Sequence, residues 1–150
     1  MNATSFTALA VDDDITQLEL VRLAISEVEE AEVRLLTAET VAEAIRQLQK
    51  EPVELLLTDK MLPDGLGTHL LEHVSALNPE VPVVVMTAHE DVREAVDLMH
   101  RGARDYLVKP VKGAEIQRIV SRAIVERREQ QERQEILEQL EEGEELAASF

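Results

Sequence analysis

The feature that most constrains this chain is an alternation, repeated five times, between a short apolar run and a segment with apolar residues at helical spacing. The apolar runs predict strands, at residues 6–11, 33–36, 55–57, 81–86 and 105–108. The spaced segments predict helices, at residues 15–29, 41–48, 70–77, 92–99 and from 114 onward. Five strand–helix units favour a doubly wound α/β fold with a parallel sheet, because a closed barrel needs eight such units and a much longer chain.

Composition and charge exclude several kinds of site and make several kinds of partner unexpected. The chain has no cysteine, which excludes disulfides and cysteine-bound zinc and favours a reducing compartment. Its net charge of −16 offers no basic face to a phosphate backbone, so we expect no direct binding to nucleic acid. Residues 1–10 lack the pattern of a signal peptide, and no apolar stretch approaches the roughly 20 residues of a membrane span. We therefore expect a cytoplasmic protein that does not enter the membrane.

Polar residues follow four of the predicted strands at the point where each strand ends. They are Asp12-Asp13-Asp14, Asp59, Thr87-Ala88 and Lys109-Pro110. Because ligands of open parallel sheets bind beyond the carboxyl ends of the strands, we expect these side chains to meet at one edge. Taken singly, each residue has an ordinary structural explanation; Asp14, for example, begins a sequence typical of a helix-capping box. The joint arrangement indicates a site.

The residue types at this edge favour phosphoryl chemistry on a metal ion. Close carboxylates repel one another unless a cation joins them, and Mg²⁺ binds a few carboxylates together with phosphate oxygens. A carboxylate held there can attack phosphorus and become an aspartyl phosphate. The Thr87 hydroxyl and the Lys109 ammonium can then stabilise the transferred group.

Four stretches of the chain resemble the receiver domains of two-component response regulators. They are residues 11–14 (VDDD), 57–65 (LTDKMLPDG), 84–88 (VVMTA) and 102–110 (GARDYLVKP). The resemblance covers roughly residues 5–125. It implies a flavodoxin-like sheet with strand order 2-1-3-4-5, a receiver domain in residues 1–125, and an extended C-terminal helix.

The resemblance also implies roles for the acidic residues. Asp59 corresponds to the phospho-acceptor of such domains. Asp13 corresponds to a direct ligand of Mg²⁺, with Asp12 acting mainly through water. The backbone carbonyl of Met61 would be a further ligand, so that Asp12, Asp13, Asp59 and Met61 together form the expected metal site.

The switch residues follow from the same resemblance. Thr87 corresponds to the switch hydroxyl and Tyr106 to the switch aromatic, while Lys109 pairs with the phosphoryl group. The Lys109-Pro110 bond is expected to be cis, which an X–Pro bond permits at modest cost. Thr87 would move toward the phosphoryl group and Tyr106 would turn inward, changing the surface formed by the fourth helix, the last strand and the last helix.

The function implied is that of a signalling module. A sensor histidine kinase would supply the phosphoryl group from a phosphohistidine, and the receiver would catalyse its own phosphorylation and slow dephosphorylation without further turnover. The stretch from residue 82 to residue 110 is similar to receivers that precede transcription-activating ATPase domains. An output domain is therefore expected beyond Phe150, with a stand-alone receiver as the alternative.

Two other functions remain open at this point. A hydrolase of the aspartate-nucleophile phosphatase type needs a second carboxylate two residues after the nucleophile, and that position is occupied by Met61. A pure interaction domain would never take phosphate, and the joint presence of the acidic residues with Thr87 and Lys109 argues against it.

Four further positions carry weaker expectations. Lys60, directly after Asp59, is more often apolar in the family. We expect its head group to be solvated at the rim of the site, with an extra charge near the site as the alternative. His69 and His73 lie four residues apart on a predicted helix, but without an evident third ligand we expect a solvated face rather than zinc. Gly102 is expected to end the fourth helix.

The last predicted helix is longer than one domain needs. From residue 114 to about 142 it would extend roughly 43 Å at 1.5 Å per residue. Apolar residues return after a polar stretch, at Ile136, Leu137, Leu140 and Leu146. We expect residues 126–150 to form a helical linker that pairs in a homodimer, with a frayed tail as the alternative.

Overall fold

The structure, a computed structural model, describes residues 5–148. The chain passes through β1 (Ser5–Val11), α1 (Ile15–Ser26), β2 (Glu32–Ala38), α2 (Val41–Lys50), β3 (Leu55–Asp59), β4 (Met61–Leu62), β5 (Gly65–Leu66), α3 (Thr68–Leu77), β6 (Val83–Thr87), α4 (Val92–His100), β7 (Asp105–Val108) and α5 (Gly113–Ala148).

Five of the strands form one parallel sheet in the order β2-β1-β3-β6-β7. Counting the long strands alone, this is the predicted order 2-1-3-4-5, so the doubly wound fold is confirmed. The two-residue strands β4 and β5 pair antiparallel and form a small hairpin shortly after Asp59. The sequence analysis did not predict this hairpin.

The core has two halves because neighbouring residues of a strand face opposite sides of the sheet. Leu55 and Leu57 belong to the half covered by α1 and α5, whereas Leu56 belongs to the half covered by α2, α3 and α4. All three side chains are fully buried. Strands buried on both faces read as continuous apolar runs, which is why the sequence pattern located them.

The sequence predicted the start of α1 correctly but placed its end too late. Asp14 is the N-cap, as expected, and its side chain accepts a hydrogen bond from the Thr16 N–H at 2.9 Å. The reciprocal half of the capping box does not form, because the Asp14 N–H donates to Asp12 Oδ1 instead. The helix ends at Ser26, three residues before the predicted end, and the Glu27 N–H closes its last turn on Ala24.

Helix α4 ends as expected at a glycine. Its C-cap is Arg101, and Gly102 follows with a φ of 107°. This is a conformation that side chains disfavour and glycine tolerates. The next segment can therefore turn directly into β7.

Helix α5 is a single helix of 36 residues, longer than predicted. Its core face is formed by Ile116, Ile119, Val120, Ala123 and Ile124. From residue 131 to 148 every side chain is exposed. Within the described residues, no helix has both the length and the apolar character needed to cross a membrane. The last two residues of the expected linker, 149 and 150, lie outside the described range, as do residues 1–4 of the expected receiver domain.

Candidate functional site

The sheet brings the predicted site residues together at its carboxyl edge. Strand β3 lies between β1 and β6, and β7 lies on the other side of β6, so the residues that end these strands are neighbours. Asp12, Asp13 and Asp59 each offer a carboxylate oxygen, and the three oxygens lie within 4.8 Å of one another. Among residues 5–148 this is the single group of three or more His, Asp or Glu side chains arranged for a metal ion.

Lys109 reaches this acidic cluster from β7. Its Nζ donates to Asp12 Oδ2 at 2.7 Å and to Asp59 Oδ2 at 3.0 Å. The Asp12 side chain is fully buried, whereas those of Asp59 and Lys109 are 14% and 19% exposed. The Lys109-Pro110 peptide bond is cis, as expected. The ammonium thus bridges the acceptor candidate and the buried carboxylate.

The charges at this edge shift two pKa values. Burial raises the pKa of the Asp12 carboxyl above its usual value of 3.8, and the nearby charge of Asp59 adds to this; the hydrogen bonds from Lys109 and the Asp14 N–H oppose it. Burial also acts on Lys109, but there the hydrogen bonds to Asp12 and Asp59 outweigh it and raise the pKa of the ammonium. Lys109 therefore stays protonated at neutral pH.

The donor set fits a hard divalent cation. Three carboxylates face one ammonium, which leaves uncompensated negative charge among oxygen ligands of the kind that Mg²⁺ prefers. Met61, the fourth predicted ligand, is 61% exposed, and its N–H lies 3.5 Å from Asp59 Oδ1. Coordination by the Met61 carbonyl stays a prediction.

The two predicted switch residues meet at one backbone carbonyl. The Tyr106 hydroxyl donates to the His89 carbonyl oxygen at 3.0 Å, and the Thr87 hydroxyl lies 3.4 Å from the same oxygen. Thr87 is buried, whereas Tyr106 is half-buried against the core. The loop after β6 therefore connects the hydroxyl at the acidic edge to the aromatic ring of β7.

Gly67 packs against Asp59 and is a part of the site that the sequence pattern did not reveal. A Cβ atom on Gly67 would lie 2.7 Å from Thr58 Oγ1 and 3.0 Å from the Asp59 carbonyl carbon, and closer still to the carbonyl oxygen. The Gly67 N–H also donates to the Lys60 carbonyl at 2.7 Å. Only a residue without a side chain lets the start of α3 lie against the end of β3.

At Lys60 the expectation of a solvated head group was wrong. Its head group is not solvated at the rim, because Nζ forms an ion pair with Glu94 Oε2 at 2.5 Å, and the side chains are only 28% and 25% exposed. The hydrogen bond to Glu94 raises the pKa of the Lys60 ammonium. The residues are 34 positions apart in the chain, so no local pattern could have paired them.

Comparison with known proteins gives consistent matches to one family. A family model described as the response regulator receiver domain matches residues 8–121. The chain is 33% identical over 117 residues to the response regulator protein PilR of Pseudomonas aeruginosa, covering 78% of this chain and 26% of PilR. It is 38% identical over 96 residues to the DNA-binding transcriptional regulator NtrC of Escherichia coli K12, covering 64% of this chain and 20% of NtrC. The chain thus spans about a quarter or less of the length of these curated relatives.

Solved structures give the same result. A CheY-like response regulator receiver domain protein from Methanospirillum hungatei matches with a TM-score of 0.73 at 28% identity, covering 85% of this chain and 99% of that one. A beryllofluoride-activated NtrC4 receiver domain dimer matches with a TM-score of 0.72 at 26% identity, covering 80% of this chain and 97% of that one.

Proposed function

The chain belongs to the response regulator receiver domain family, and from that premise we propose that it accepts a phosphoryl group on Asp59 from a phosphohistidine of a sensor histidine kinase. The observation that carries this proposal is the meeting of Asp59 with Asp12, Asp13 and Lys109 at one edge of the sheet. The proposed role is that of a phospho-acceptor in signalling, not of an enzyme with repeated turnover.

In the proposed transfer, a carboxylate oxygen of Asp59 attacks phosphorus. The bond between phosphorus and the imidazole nitrogen of the donor breaks, and its electron pair stays on that nitrogen. The products are an acyl phosphate on Asp59 and a free histidine. Lys109, already within 3.0 Å of the Asp59 carboxylate, offsets negative charge on the transferred group, and the Thr87 hydroxyl donates to one of its oxygens. Slow attack by water on the acyl phosphate would return the carboxylate and release phosphate.

Magnesium is the proposed cofactor. Asp12, Asp13 and Asp59 would hold it together with the Met61 carbonyl, and it would neutralise charge on phosphoryl oxygens. Asp12 is buried and hydrogen-bonded to Lys109, which supports an indirect role through water, whereas the exposed Asp13 is free to turn toward a cation.

The proposed output is a population shift between two arrangements of the loop after β6. The phosphoryl group favours the arrangement in which Thr87 turns toward it, and Tyr106 follows through the His89 carbonyl that both hydroxyls approach. The surface formed by α4, β7 and α5 then changes its affinity for a partner or for a second copy of the chain.

The wider context is also proposed. We assign residues 1–125 to the receiver and residues 126–150 to a helical linker that pairs in a homodimer and leads to an output domain. The likeness to NtrC and PilR supports control of transcription through that output domain, and the likeness to the NtrC4 dimer supports self-association. Cysteine is absent from the chain, in keeping with a cytoplasmic place of action.

The test is uptake of phosphate by the intact chain. Incubation with acetyl phosphate and Mg²⁺ should add one phosphoryl group to the intact mass, and Asp59→Asn should show no gain. Thr87→Ala should still gain mass but lose phosphate-dependent dimerisation. A wild-type chain that gains no mass, or an Asp59→Asn chain that gains it equally, contradicts the proposal.

A further inference from the structure

An ion pair outside the acidic cluster joins the acceptor strand to α4. Lys60 directly follows Asp59, and its main chain is held on both sides: its N–H donates to the Met86 carbonyl at 2.8 Å, and its carbonyl accepts from Gly67 at 2.7 Å. Its Nζ lies 2.5 Å from Glu94 Oε2, in the first turn of α4. The ammonium that pairs with α4 therefore extends from a residue, Lys60, whose backbone is fixed by two hydrogen bonds.

The N-cap Asp91 closes the first turn of α4 by accepting from the Arg93 and Glu94 N–H groups, but this cap does not tie the turn to another element. Glu94 lies four residues before Leu98, on the same face, and Leu98 is the single fully enclosed apolar side chain of this helix, at 1% exposure. The other large apolar residues of α4 are exposed, namely Val92, Val96 and Met99. The second turn is therefore anchored by apolar contact, whereas the pair with Lys60 links the first turn to the residue that follows β3.

The environment of Glu94 makes the pair hard to replace. Both side chains are about three-quarters buried, and Glu94 Oε1 is buried with no hydrogen-bond partner among the residues that the structure describes. Loss of Lys60 would leave the Glu94 carboxylate partly withdrawn from water, with no positive charge beside it to offset its own. The pair thus restrains α4 more strongly than an exposed surface ion pair could.

We propose that Lys60 and Glu94 form a latch that holds the first turn of α4 against the acceptor strand and so sets how readily the switch surface rearranges on phosphorylation. This inference rests on the proposed function. The first turn of α4 continues the loop that runs from the end of β6 at Thr87 through His89, so movement of that loop would displace Glu94. The latch favours the arrangement seen here, and the phosphoryl group must overcome it.

The test compares four variants with the wild-type chain. Lys60→Met and Glu94→Gln each remove one charge, and the exchange Lys60→Glu with Glu94→Lys restores the pair in reverse. The matched control is Asp97→Asn. It removes an α4 carboxylate that lies 3.5 Å from Arg101, the C-cap residue of the same helix. The control pair lies within one element, whereas the latch joins two.

The first measurement is hydrogen exchange of the α4 amides without phosphate. Each single variant should exchange about tenfold faster than wild type, a size typical of a coupled pair of contacting residues. The charge exchange should restore slow exchange, and Asp97→Asn should match wild type. Wild-type exchange rates in both single variants would overturn the latch. If Lys60→Met fails to fold, Glu94→Gln and the charge exchange decide the matter.

The second measurement is dimer formation plotted against the phosphorylated fraction, which intact mass provides. The single variants should dimerise at a lower phosphorylated fraction than wild type, and the charge exchange should return the curve toward wild type. Faster α4 exchange with an unchanged dimerisation curve would make the pair structural support only and would overturn the latch. A wild-type chain that takes up no phosphate would contradict the proposed function, while the exchange measurement would still decide whether the pair holds α4.

Discussion

At the scale of single residues, Gly67 places a tight steric limit on the proposed acceptor site around Asp59. The start of α3 approaches the Asp59 backbone so closely that any Cβ would overlap it. We predict that Gly67→Ala lowers the free energy of unfolding by about 1–3 kcal/mol, the usual cost of overpacking, and slows phosphate uptake because Asp59 must shift. Urea denaturation and the time course of intact mass would measure the two effects.

The same substitution elsewhere provides the control. Gly143 lies in the exposed part of α5, and a Cβ there would meet nothing within 4 Å. Gly143→Ala should therefore leave phosphate uptake unchanged and, if anything, favour the helix, since alanine is a better helix former than glycine. Equal effects of the two substitutions on uptake would contradict the role given to Gly67.

Residues at the strand ends could be predicted, whereas residues that support them could not. Asp12, Asp59 and Lys109 each follow an apolar run, so position in the pattern was enough to bring them together. Gly67 and Glu94 act through contacts made across the fold, and nothing in their own neighbourhood distinguishes a close approach or an inward-facing carboxylate. The rule that lysine solvates its head group failed at Lys60 because a helix covers it.

At the scale of elements, the hairpin of β4 and β5 is joined to α2 by one carboxylate. Asp64 accepts hydrogen bonds from the Val41 N–H at 2.8 Å and the Ala42 N–H at 3.0 Å, two donors in the first turn of α2. These bonds lower the pKa of Asp64 from its usual 3.8. The hairpin that follows Asp59 thus supplies part of the N-terminal cap of α2.

A pH-dependent contribution to stability follows from this cap. Because the folded pKa of Asp64 is depressed, its stabilising effect is present above the unfolded pKa and is lost as pH falls through the folded pKa. Asp64→Asn should therefore lower the melting temperature at pH 7, and the difference from wild type should shrink in acid. Thermal unfolding over a pH series would measure it.

The control for Asp64 is a carboxylate without a capping role. Glu129→Gln changes an exposed residue of α5 and should leave the melting temperature close to wild type at every pH. A difference between Asp64→Asn and wild type that stays constant down to acid pH would show that the charge of Asp64 is not what stabilises α2.

Periodicity predicted the long elements well and their limits less well. The stripe of α1 appeared to continue to residue 29 because Val28 still packs against the core after the helix has ended at Ser26. The hairpin was missed because two-residue strands are too short to show any alternation. The first error comes from an apolar contact just beyond the end of a helix. The second comes from a strand pair too short to leave a pattern in the sequence.

At the scale of the whole molecule, α5 joins two regions of opposite character. Its first half packs on the sheet, and ion pairs at the base of the sheet continue this contact: Arg127 Nε lies 3.1 Å from Glu54 Oε2, and Arg104 pairs with Glu126. Glu54 in turn accepts from the Thr7 N–H of β1 at 3.0 Å. The helix therefore leaves the domain in a direction determined by the far end of the strands that carry the acidic site.

Beyond these ion pairs the helix is acidic and partly apolar. Residues 134–148 contain six glutamates and no basic residue, while Ile136, Leu137 and Leu140 are each more than half exposed. In the proposed homodimer these apolar side chains would pair, but two such segments side by side would also repel. Apolar burial favours the pairing and like charge opposes it.

These opposing terms predict an unusual salt dependence of dimerisation. Added salt shortens the Debye length from about 10 Å at 0.1 M to about 3 Å at 1 M, which screens the glutamates but leaves apolar burial intact. Self-association, measured by sedimentation, should therefore strengthen with sodium chloride, and Leu137→Gln with Leu140→Gln should abolish it at every salt concentration. Glu129→Gln, nearer the domain, is the control and should dimerise like wild type. Association that weakens with salt, or that survives loss of both leucines, would place the dimer contact on another surface, because neither result is compatible with apolar pairing of acidic helices.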